Sequence, residues 1–203
     1  MSLDPVSSAS GRGPEQPIAC RACDLNAICR LTGLLANEST RPRRTGGLRT
    51  LRSGAVLFRA GAPAHTLFAI RQGTMKLTHV TTEGDERIVS FHVPGEVLGL
   101  EAFAQGTYAC DAVALENAQC CELPLPALEG HTPQTAALAT QFLRVLGSNT
   151  FAVQSPLARG SARERIVNFL LDLSRRLRDR GFDGTRMTPV SYTHLTLPTI
   201  LRV

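Results

Sequence analysis

Five glycines recur at intervals of 11 or 12 residues through the middle of the chain, at positions 61, 73, 84, 95 and 106. Glycine is favoured where the backbone turns, and the stretches between these positions are short and rich in strand-forming residues. Turns repeated at this spacing are typical of an antiparallel barrel or sandwich. The sequence therefore predicts a mainly β domain, which we place at residues 45–130.

Two strands of this domain can be read from the alternation of apolar and polar residues. Met75–Val80 (MKLTHV) alternates in this way, and Arg87–Phe91 (RIVSF) follows after a turn that contains Gly84. Glycine in such a turn accommodates the positive φ angle that short hairpins require. We predict a β-hairpin at this position.

After the β domain the spacing of apolar residues becomes helical, and we predict a long helix over residues 133–157. Intervals of three and four residues place five residues on one face: Leu138, Phe142, Val145, Asn149 and Ala152. A neighbouring stripe consists of Leu143, Leu146 and Val153. The first stripe can join two copies of the chain, with Asn149 fixing the register, or both stripes can form one wide face on the same domain. The pattern leaves both interpretations open.

A second helix is predicted to begin at Ser161 and to end at Gly181, within a segment at residues 161–189. Ser161 and Glu164 have the spacing of a capping box, and Gly181 suits the C-terminal cap. Apolar residues at helical spacing form its core-facing stripe: Ile166, Phe169, Leu170, Leu173 and Leu177. We expect four arginines on the opposite face: Arg175, Arg176, Arg178 and Arg180. This basic segment is compatible with nucleic-acid contact or with an ordinary solvated face.

Six cysteines carry the strongest indication of function. No apolar run approaches the length of a membrane span, about 18 residues, and the N-terminus has no signal-peptide pattern, so we expect a cytoplasmic protein that contacts no membrane. Disulfides are rare in that compartment, and metal binding or redox chemistry explains the cysteines better. They stand at Cys20, Cys23, Cys29, Cys110, Cys120 and Cys121.

Cys20, Cys23 and Cys29 lie close enough in sequence to surround one metal centre. Thiolates suit iron–sulfur clusters or zinc. Structural zinc sites more often contain two paired half-sites, and a second CxxC pair is absent here, so the spacing favours a 4Fe–4S cluster. The fourth ligand must come from a distance. Its first candidate is Cys121, and the alternatives are Cys120 and Cys110, which as small apolar side chains can equally belong to the core.

No residue set typical of an enzyme is visible. The five histidines show no metal-ligand spacing, and the GxSxG, HExxH and Walker A motifs are absent. Gly95 and Glu96 lie in a loop that can hold a sugar or phosphate, or serve as an ordinary turn. We therefore predict that the protein is not an enzyme.

A resemblance to the sensor domain of the cyclic AMP receptor protein/FNR superfamily covers the stretch LFRAGAPAHTLFAIRQGTMKLTHVTTEGDERIVSFHVPGEVLGLEAF. Two further segments of this chain resemble the FNR branch in particular: LENAQCCELP and NFLLDLSRRLRDRGF. The resemblance implies a mainly β fold with α: a double-stranded β-helix (jelly-roll) sensor domain of the cyclic-nucleotide-binding type. A long dimerisation helix and the first helix of a winged-helix domain are expected to follow it.

FNR proteins bind an oxygen-labile 4Fe–4S cluster through three N-terminal cysteines and one remote cysteine. The resemblance assigns these roles to Cys20, Cys23 and Cys29, in a cysteine loop at residues 18–35, and to Cys121, which like the family's remote ligand precedes an acidic residue, an apolar residue and proline. It also implies a homodimer, with promoter DNA and RNA polymerase as partners of the family member.

Cyclic AMP is not expected as a ligand. The nucleotide-binding members of the superfamily hold the cyclic phosphate with an Arg-Ser pair, and the matching stretch here, residues 106–111 (GTYACD), contains neither residue. A phosphate would meet no compensating cation there.

The two ends of the chain differ from the rest. Residues 1–17 are rich in Ser, Gly and Pro, and we predict disorder. SYTHLTLPT, within residues 190–203, resembles translated sequencing-adapter sequence, so we interpret this tail as non-native. The winged-helix domain would then stop before its recognition helix, and we expect no specific DNA binding by this chain.

Our leading hypothesis is an oxygen- and redox-sensing transcription regulator. Two alternatives belong to other classes: a jelly-roll module that senses a small molecule without a cluster, and a zinc-stabilised interaction domain.

Overall fold

The computed structural model describes residues 13–31, 47–125, 140–141, 143–146 and 161–184. The described residues at 140–146 are helical, as predicted for the long helix. Most of that helix, the tail at residues 190–203 and residues 1–12 of the N-terminal segment lie outside the described residues.

Within the described residues, eight short strands form two antiparallel sheets of four strands each, which confirms the predicted jelly-roll domain. The sheet orders are β1-β8-β3-β6 and β2-β7-β4-β5. The strands are β1 (Leu48–Leu51), β2 (Val56–Phe58), β3 (Thr66–Gln72), β4 (Met75–Val80), β5 (Glu86–His92), β6 (Val97–Leu98), β7 (Asp111–Ala114) and β8 (Ala118–Pro124). A short helix α2 (Ala102–Gln105) lies between β6 and β7.

The predicted hairpin is formed by β4 and β5. Their pairing runs from Met75 opposite His92 to Val80 opposite Glu86. Gly84 adopts a φ of +88° in the connecting turn, a conformation that side chains with a Cβ rarely accept. The hairpin prediction is confirmed, including the reason for its glycine.

The space between the two sheets is a packed apolar core. Phe58 and Tyr108 stack with their ring centroids 3.9 Å apart, and Phe58 also stacks on Phe68 at 5.8 Å. The hydroxyl of Tyr108 donates a hydrogen bond to the carbonyl oxygen of Thr66 at 2.7 Å, which satisfies the polar end of the ring. Aromatic and aliphatic side chains from both sheets therefore occupy the interior.

The N-terminal segment contacts the β domain. The N–H of Gly73 donates to the carbonyl oxygen of Pro14 at 2.9 Å, which joins residues 13–17 to the β3–β4 turn. The cysteine loop contains a 3-10 turn at Cys20–Ala22 and a helix α1 at Asn26–Leu31. Burial of Ile28 gives this short helix the tertiary support that its length cannot supply.

Helix α3 spans Ala162–Asp179 and begins with the predicted capping box. The backbone N–H of Glu164 donates to the hydroxyl of Ser161, and the backbone N–H of Ser161 donates to the carboxylate of Glu164. Gly181 follows the helix with a φ of +79°. Three residues of the predicted stripe are buried against the β domain: Phe169, Leu173 and Leu177.

Two features of α3 differ from the prediction. Leu170 is 45% exposed, so the buried stripe is narrower than the apolar pattern indicated. Arg176 and Arg180 do not lie on a solvated face, since both form ion pairs with acidic groups outside the helix. An arginine stem can lie along apolar surface while its guanidinium reaches an acid beyond it, and the sequence pattern does not reveal that acid.

Candidate functional site

Cys120 and Cys121, both candidates for the remote ligand, are adjacent residues of strand β8 and lie on opposite faces of its sheet. Successive residues of a strand point to opposite faces. Cys120 is completely buried in the core between the sheets, whereas Cys121 packs against a second apolar cluster on the other side of its sheet. Cys110 packs against the core between the sheets. Of the three candidates, Cys121 is therefore the one that lies in the second cluster.

The cysteine loop packs onto this same second cluster. Leu25 and Ile28 are almost completely buried there. Their neighbours come from the outer face of the sheet: Leu67, Ala69, Val97 and Leu123. Cys23 and Cys29 are partly buried against the cluster, as Cys121 is. The fold thus brings two loop cysteines and one strand cysteine, about a hundred residues apart in sequence, to one apolar surface.

The thiols of this region also interact electrostatically. Burial raises the pKa of Cys23 to about 12, the backbone N–H of Leu25 opposes this rise, and the negative charges of Cys29 and Cys121 add to it. Burial likewise raises the pKa of Cys29 to about 12, with further contributions from Cys121 and Cys20. Cys29 and Cys121 therefore each lie close enough to the other three predicted ligands for their charges to interact.

Cys121 has a cationic neighbour. Burial raises the pKa of its thiol, the positive charge of Arg71 on β3 opposes that rise, and the charge of Cys20 adds to it. Arg71 also accepts, through its carbonyl oxygen, a hydrogen bond from the N–H of Ile18 at 2.7 Å. The strand that carries Arg71 therefore contacts both the remote cysteine and the start of the cysteine loop.

The donor set fits a thiolate-bound metal group in its chemistry. Four thiols that repel one another as thiolates would be stabilised by a cationic centre between them, and soft sulfur ligands suit iron–sulfur clusters and zinc. The apolar side chains around them restrict access of water. Among the described residues, no three Cys, His, Asp or Glu side chains are already arranged around the position of a single metal ion. The residues that would hold such a group are neighbours in the fold.

The Gly95–Glu96 loop, considered above as a cradle for a sugar or phosphate, contacts helix α3. The side chain of Glu96 is 7% exposed, and its Oε1 accepts a hydrogen bond from Nε of Arg176 at 2.8 Å. Arg176 also donates from Nη2 to the carbonyl oxygen of Phe91 at 2.6 Å. Nδ1 of His92 lies 3.2 Å from Oε2 of Glu96. The acidic group of the loop is thus bound by the protein's own side chains.

These partners determine the charge state of Glu96. Burial alone would raise the pKa of its carboxyl group, but the close approach of the His92 ring and the charge and hydrogen bonds of Arg176 outweigh burial and hold this pKa far below its usual range. The pKa of Arg176 is raised, because the charge of Glu96 outweighs the cost of burying the guanidinium. Glu96 is therefore ionised at neutral pH and anchors α3 to the β domain.

A second ion pair joins α3 to the cysteine loop itself. Nη2 of Arg180 lies 3.0 Å from Oδ2 of Asp24, the residue that follows Cys23. Burial raises the pKa of Asp24, and the charge of Arg180 opposes that rise. Sequence reasoning missed Asp24 and the roles of both arginines. The available signals were an acid beside the CxxC pair and a run of arginines, but neither indicates its partner.

The described part of the long helix contains one of the five residues predicted for dimerisation. Val145 is buried in the second apolar cluster of its own chain, and Leu146 packs against that cluster. Leu143, from the neighbouring stripe, is 69% exposed. The other four residues, Leu138, Phe142, Asn149 and Ala152, lie outside the described residues.

Comparison with known proteins gives a consistent family assignment. A family model described as the cyclic nucleotide-binding domain matches residues 48–130. The transcriptional activator protein anr of Pseudomonas aeruginosa is 32% identical over 195 residues, which cover 91% of this chain and 80% of that protein. The fumarate and nitrate reduction regulatory protein of Escherichia coli K12 is 31% identical, covering 92% and 79%. The anaerobic regulatory protein of Haemophilus influenzae is 31% identical, covering 92% and 77%.

Solved structures support the fold. FixK2 from Bradyrhizobium japonicum aligns with a TM-score of 0.56 at 24% identity, over 78% of this chain and 82% of that chain. A transcriptional regulator of the CRP family from Thermus thermophilus aligns with a TM-score of 0.52 at 23% identity, over 62% and 63%. Within the part of the chain that the structure describes, no helix combines the length and apolar character needed to cross a bilayer.

Proposed function

The chain belongs to the FNR-type branch of the cyclic AMP receptor protein/FNR superfamily, whose matched members are transcription regulators and not enzymes. From this membership we propose that the protein is an oxygen- and redox-responsive regulator of transcription. Its sensor is a 4Fe–4S cluster bound by Cys20, Cys23, Cys29 and Cys121.

The observation that carries this proposal is the convergence of loop and strand cysteines on one apolar surface. Cys23, Cys29 and Cys121 pack against the same cluster, and Cys20 interacts with Cys29 and Cys121 through its charge. Relatives named as an anaerobic regulatory protein and as a fumarate and nitrate reduction regulatory protein support a role that depends on oxygen supply.

The chain's own residues hold and surround the sensing group. The four thiolates would be its ligands, and the side chains of Leu25 and Ile28 restrict water on one side of it. When bound, a 4Fe–4S cluster supplies an oxidisable centre. Loss of ligation would release the cysteine loop from β8, and packing around Leu25 would weaken.

In a full-length family member, the output of such a sensor is binding to promoter DNA as a homodimer, in the cytoplasm and together with RNA polymerase. We assign dimerisation to the helix at residues 133–157 and the start of the winged-helix domain to residues 161–189. Within the dimer helix we propose contacts through the predicted stripe Leu138, Phe142, Val145, Asn149 and Ala152. Val145 also packs in the apolar cluster under the cysteine loop of its own chain.

The interior of the jelly-roll domain supports a sensor that does not use cyclic AMP. The position at which a nucleotide phosphate would enter, residues 106–111, contains Tyr108, whose ring stacks on Phe58 within the core. The hydroxyl of Tyr108 is bound to Thr66. These contacts favour a domain whose interior is filled by its own side chains. They argue against the alternative in which the domain binds a small molecule there.

The test is anaerobic purification, followed by iron, sulfide and zinc assays and a visible spectrum before and after exposure to air. We expect about four irons and four sulfides per chain and a brown colour that bleaches in air. Stoichiometric zinc in a colourless protein would establish the zinc-stabilised alternative. Absence of metal after anaerobic reconstitution would refute the cluster.

Two adjacent cysteines offer a matched pair of variants. Cys121→Ser should lose the cluster, because it removes a ligand at the surface that faces the loop. Cys120→Ser changes the neighbouring residue of the same strand and should keep the iron content, while lowering stability through the buried hydroxyl. Equal iron contents in the two variants would contradict the assignment of the remote ligand.

A further inference from the structure

A three-way junction connects the cysteine loop, the Gly95 turn and helix α3. The backbone N–H of Asp24 donates to the carbonyl oxygen of Gly95 at 2.9 Å, while its carboxylate pairs with Arg180 at 3.0 Å. Asp24 is therefore held on one side by the β domain and on the other by the end of α3. It is also covalently next to Cys23, so its position depends on where that thiol lies.

Gly95 leaves no spare room at this junction. Its φ is +97°, and a Cβ built there would lie 2.8 Å from Cδ1 of Ile18 and 2.9 Å from Nε of Arg180. The side chains of Ile18 and Arg180 therefore both pack against the face of Gly95 where a Cβ would stand. Because Asp24 binds this turn through its N–H and Arg180 through its carboxylate, a displacement of the loop would disturb both contacts.

Arg180 is fixed to the rest of α3 as well. Its Nη1 donates to the carbonyl oxygen of Arg176 at 3.1 Å, and its Nη2 lies 3.5 Å from Oε1 of Glu96. Ile18 packs in the same apolar cluster as Leu173 and Leu177 of the helix. Polar and apolar contacts therefore both connect the cysteine loop to α3.

We propose that the Asp24–Arg180 ion pair is a positioning contact through which the ligation state of the cysteine loop controls how firmly α3 is held on the β domain. This inference rests on the proposed function, since it assigns a route by which that sensor acts on the segment leading to DNA. With Cys23 ligated, Asp24 stays at the Gly95 turn and retains Arg180. With the thiols released, Asp24 samples other positions, and the equilibrium shifts towards states in which the end of α3 is detached.

The first measurement uses the metal-free chain and amide hydrogen exchange of α3. Asp24→Asn should lower the protection of the Leu173 and Leu177 amides by about tenfold, as expected for loss of a charged hydrogen bond, and Arg180→Gln at least as much, since Arg180 also lies near Glu96. The double variant should show no loss beyond that of Arg180→Gln, because both changes remove the same ion pair. Arg178→Gln, on the exposed side of the same helix, should leave protection unchanged. Additive losses in the double variant would overturn the pairing.

The second measurement compares protein reconstituted anaerobically with iron and sulfide against the metal-free form. In the wild-type chain, loading should raise the protection of the Leu177 amide several-fold, whereas Asp24→Asn should bind the same amount of iron and show no such rise. An undiminished rise in Asp24→Asn would overturn the positioning role while leaving the proposed sensor intact. Failure of the wild-type chain to take up iron and sulfide would instead refute the proposed function, and with it this route of control.

Discussion

Replacement of Arg176 by methionine should destabilise the protein strongly, although the side chain is similar in volume. Methionine retains the apolar contacts of the arginine stem but removes both hydrogen bonds to Glu96. Removal of one partner from a buried ion pair leaves an uncompensated charge and typically costs about 3–5 kcal/mol. His92 and Arg180 remain 3.2 Å and 3.5 Å from the carboxylate, so we expect a loss near the lower end, about 3 kcal/mol.

Urea denaturation of the metal-free chain at pH 7 measures this loss. At an m-value of about 2 kcal/mol/M, the midpoint should fall by about 1.5 M. Arg175→Met is the control, because Arg175 lies on the same helix with a 66% exposed side chain and a surface ion pair to Asp172. Such pairs contribute at most about 1 kcal/mol.

The pH dependence supplies an independent check. The pKa of Glu96 is lowered in the folded protein, so its contribution to stability is present above the usual glutamate pKa and is lost as the pH falls below it. The titratable or charged groups facing it are His92 on β5, Arg176 and Arg180 on α3, and Asp24 in the cysteine loop. In Arg176→Met the pKa of Glu96 should lie closer to the usual glutamate value. The free energy of unfolding of the variant should therefore fall less than that of the wild type between about pH 5 and pH 3.

A second substitution shows whether buried charge is the cause. In Glu96→Gln/Arg176→Met the unpaired carboxylate is gone, and the double variant should be more stable than Arg176→Met by about 1–2 kcal/mol. The reasoning fails if Arg176→Met costs less than about 1 kcal/mol, or if the double variant is the less stable of the two.

Three further outcomes follow from the packing. Leu173→Ala should cost about 2–5 kcal/mol in urea denaturation, because Leu173 is 1% exposed, whereas Leu171→Ala, at a position 59% exposed, should change stability by less than about 0.5 kcal/mol. Gly95→Ala should destabilise more than Gly54→Ala in thermal unfolding, since both glycines have positive φ but only the Cβ at position 95 meets other atoms; equal losses would contradict the close junction. Ser161→Ala should cost about 1 kcal/mol and increase hydrogen exchange in the first turn of α3, and unchanged exchange there would refute the capping box.

The elements that could be predicted are those whose causes are local in sequence. Met75–Val80 alternates in sequence and forms a strand, although its first four residues are buried on both faces, and Gly84 marks the turn that its φ requires. The capping box joins residues three positions apart. The assignment of Cys121 as a ligand came from the resemblance and remains a prediction.

The sequence by itself determined the class of fold, the ends of α3 and the grouping of three cysteines, because strand alternation, capping and metal-ligand spacing are properties of neighbouring residues. Tertiary structure alone decided which face of β8 meets the cysteine loop and which acids receive the arginines of α3. Arg176 and Glu96 are 80 residues apart, and Arg180 and Asp24 are 156 apart. The sequence around a charged residue does not indicate which distant residue it will pair with. These ion pairs form only when packing of the apolar clusters brings the segments together.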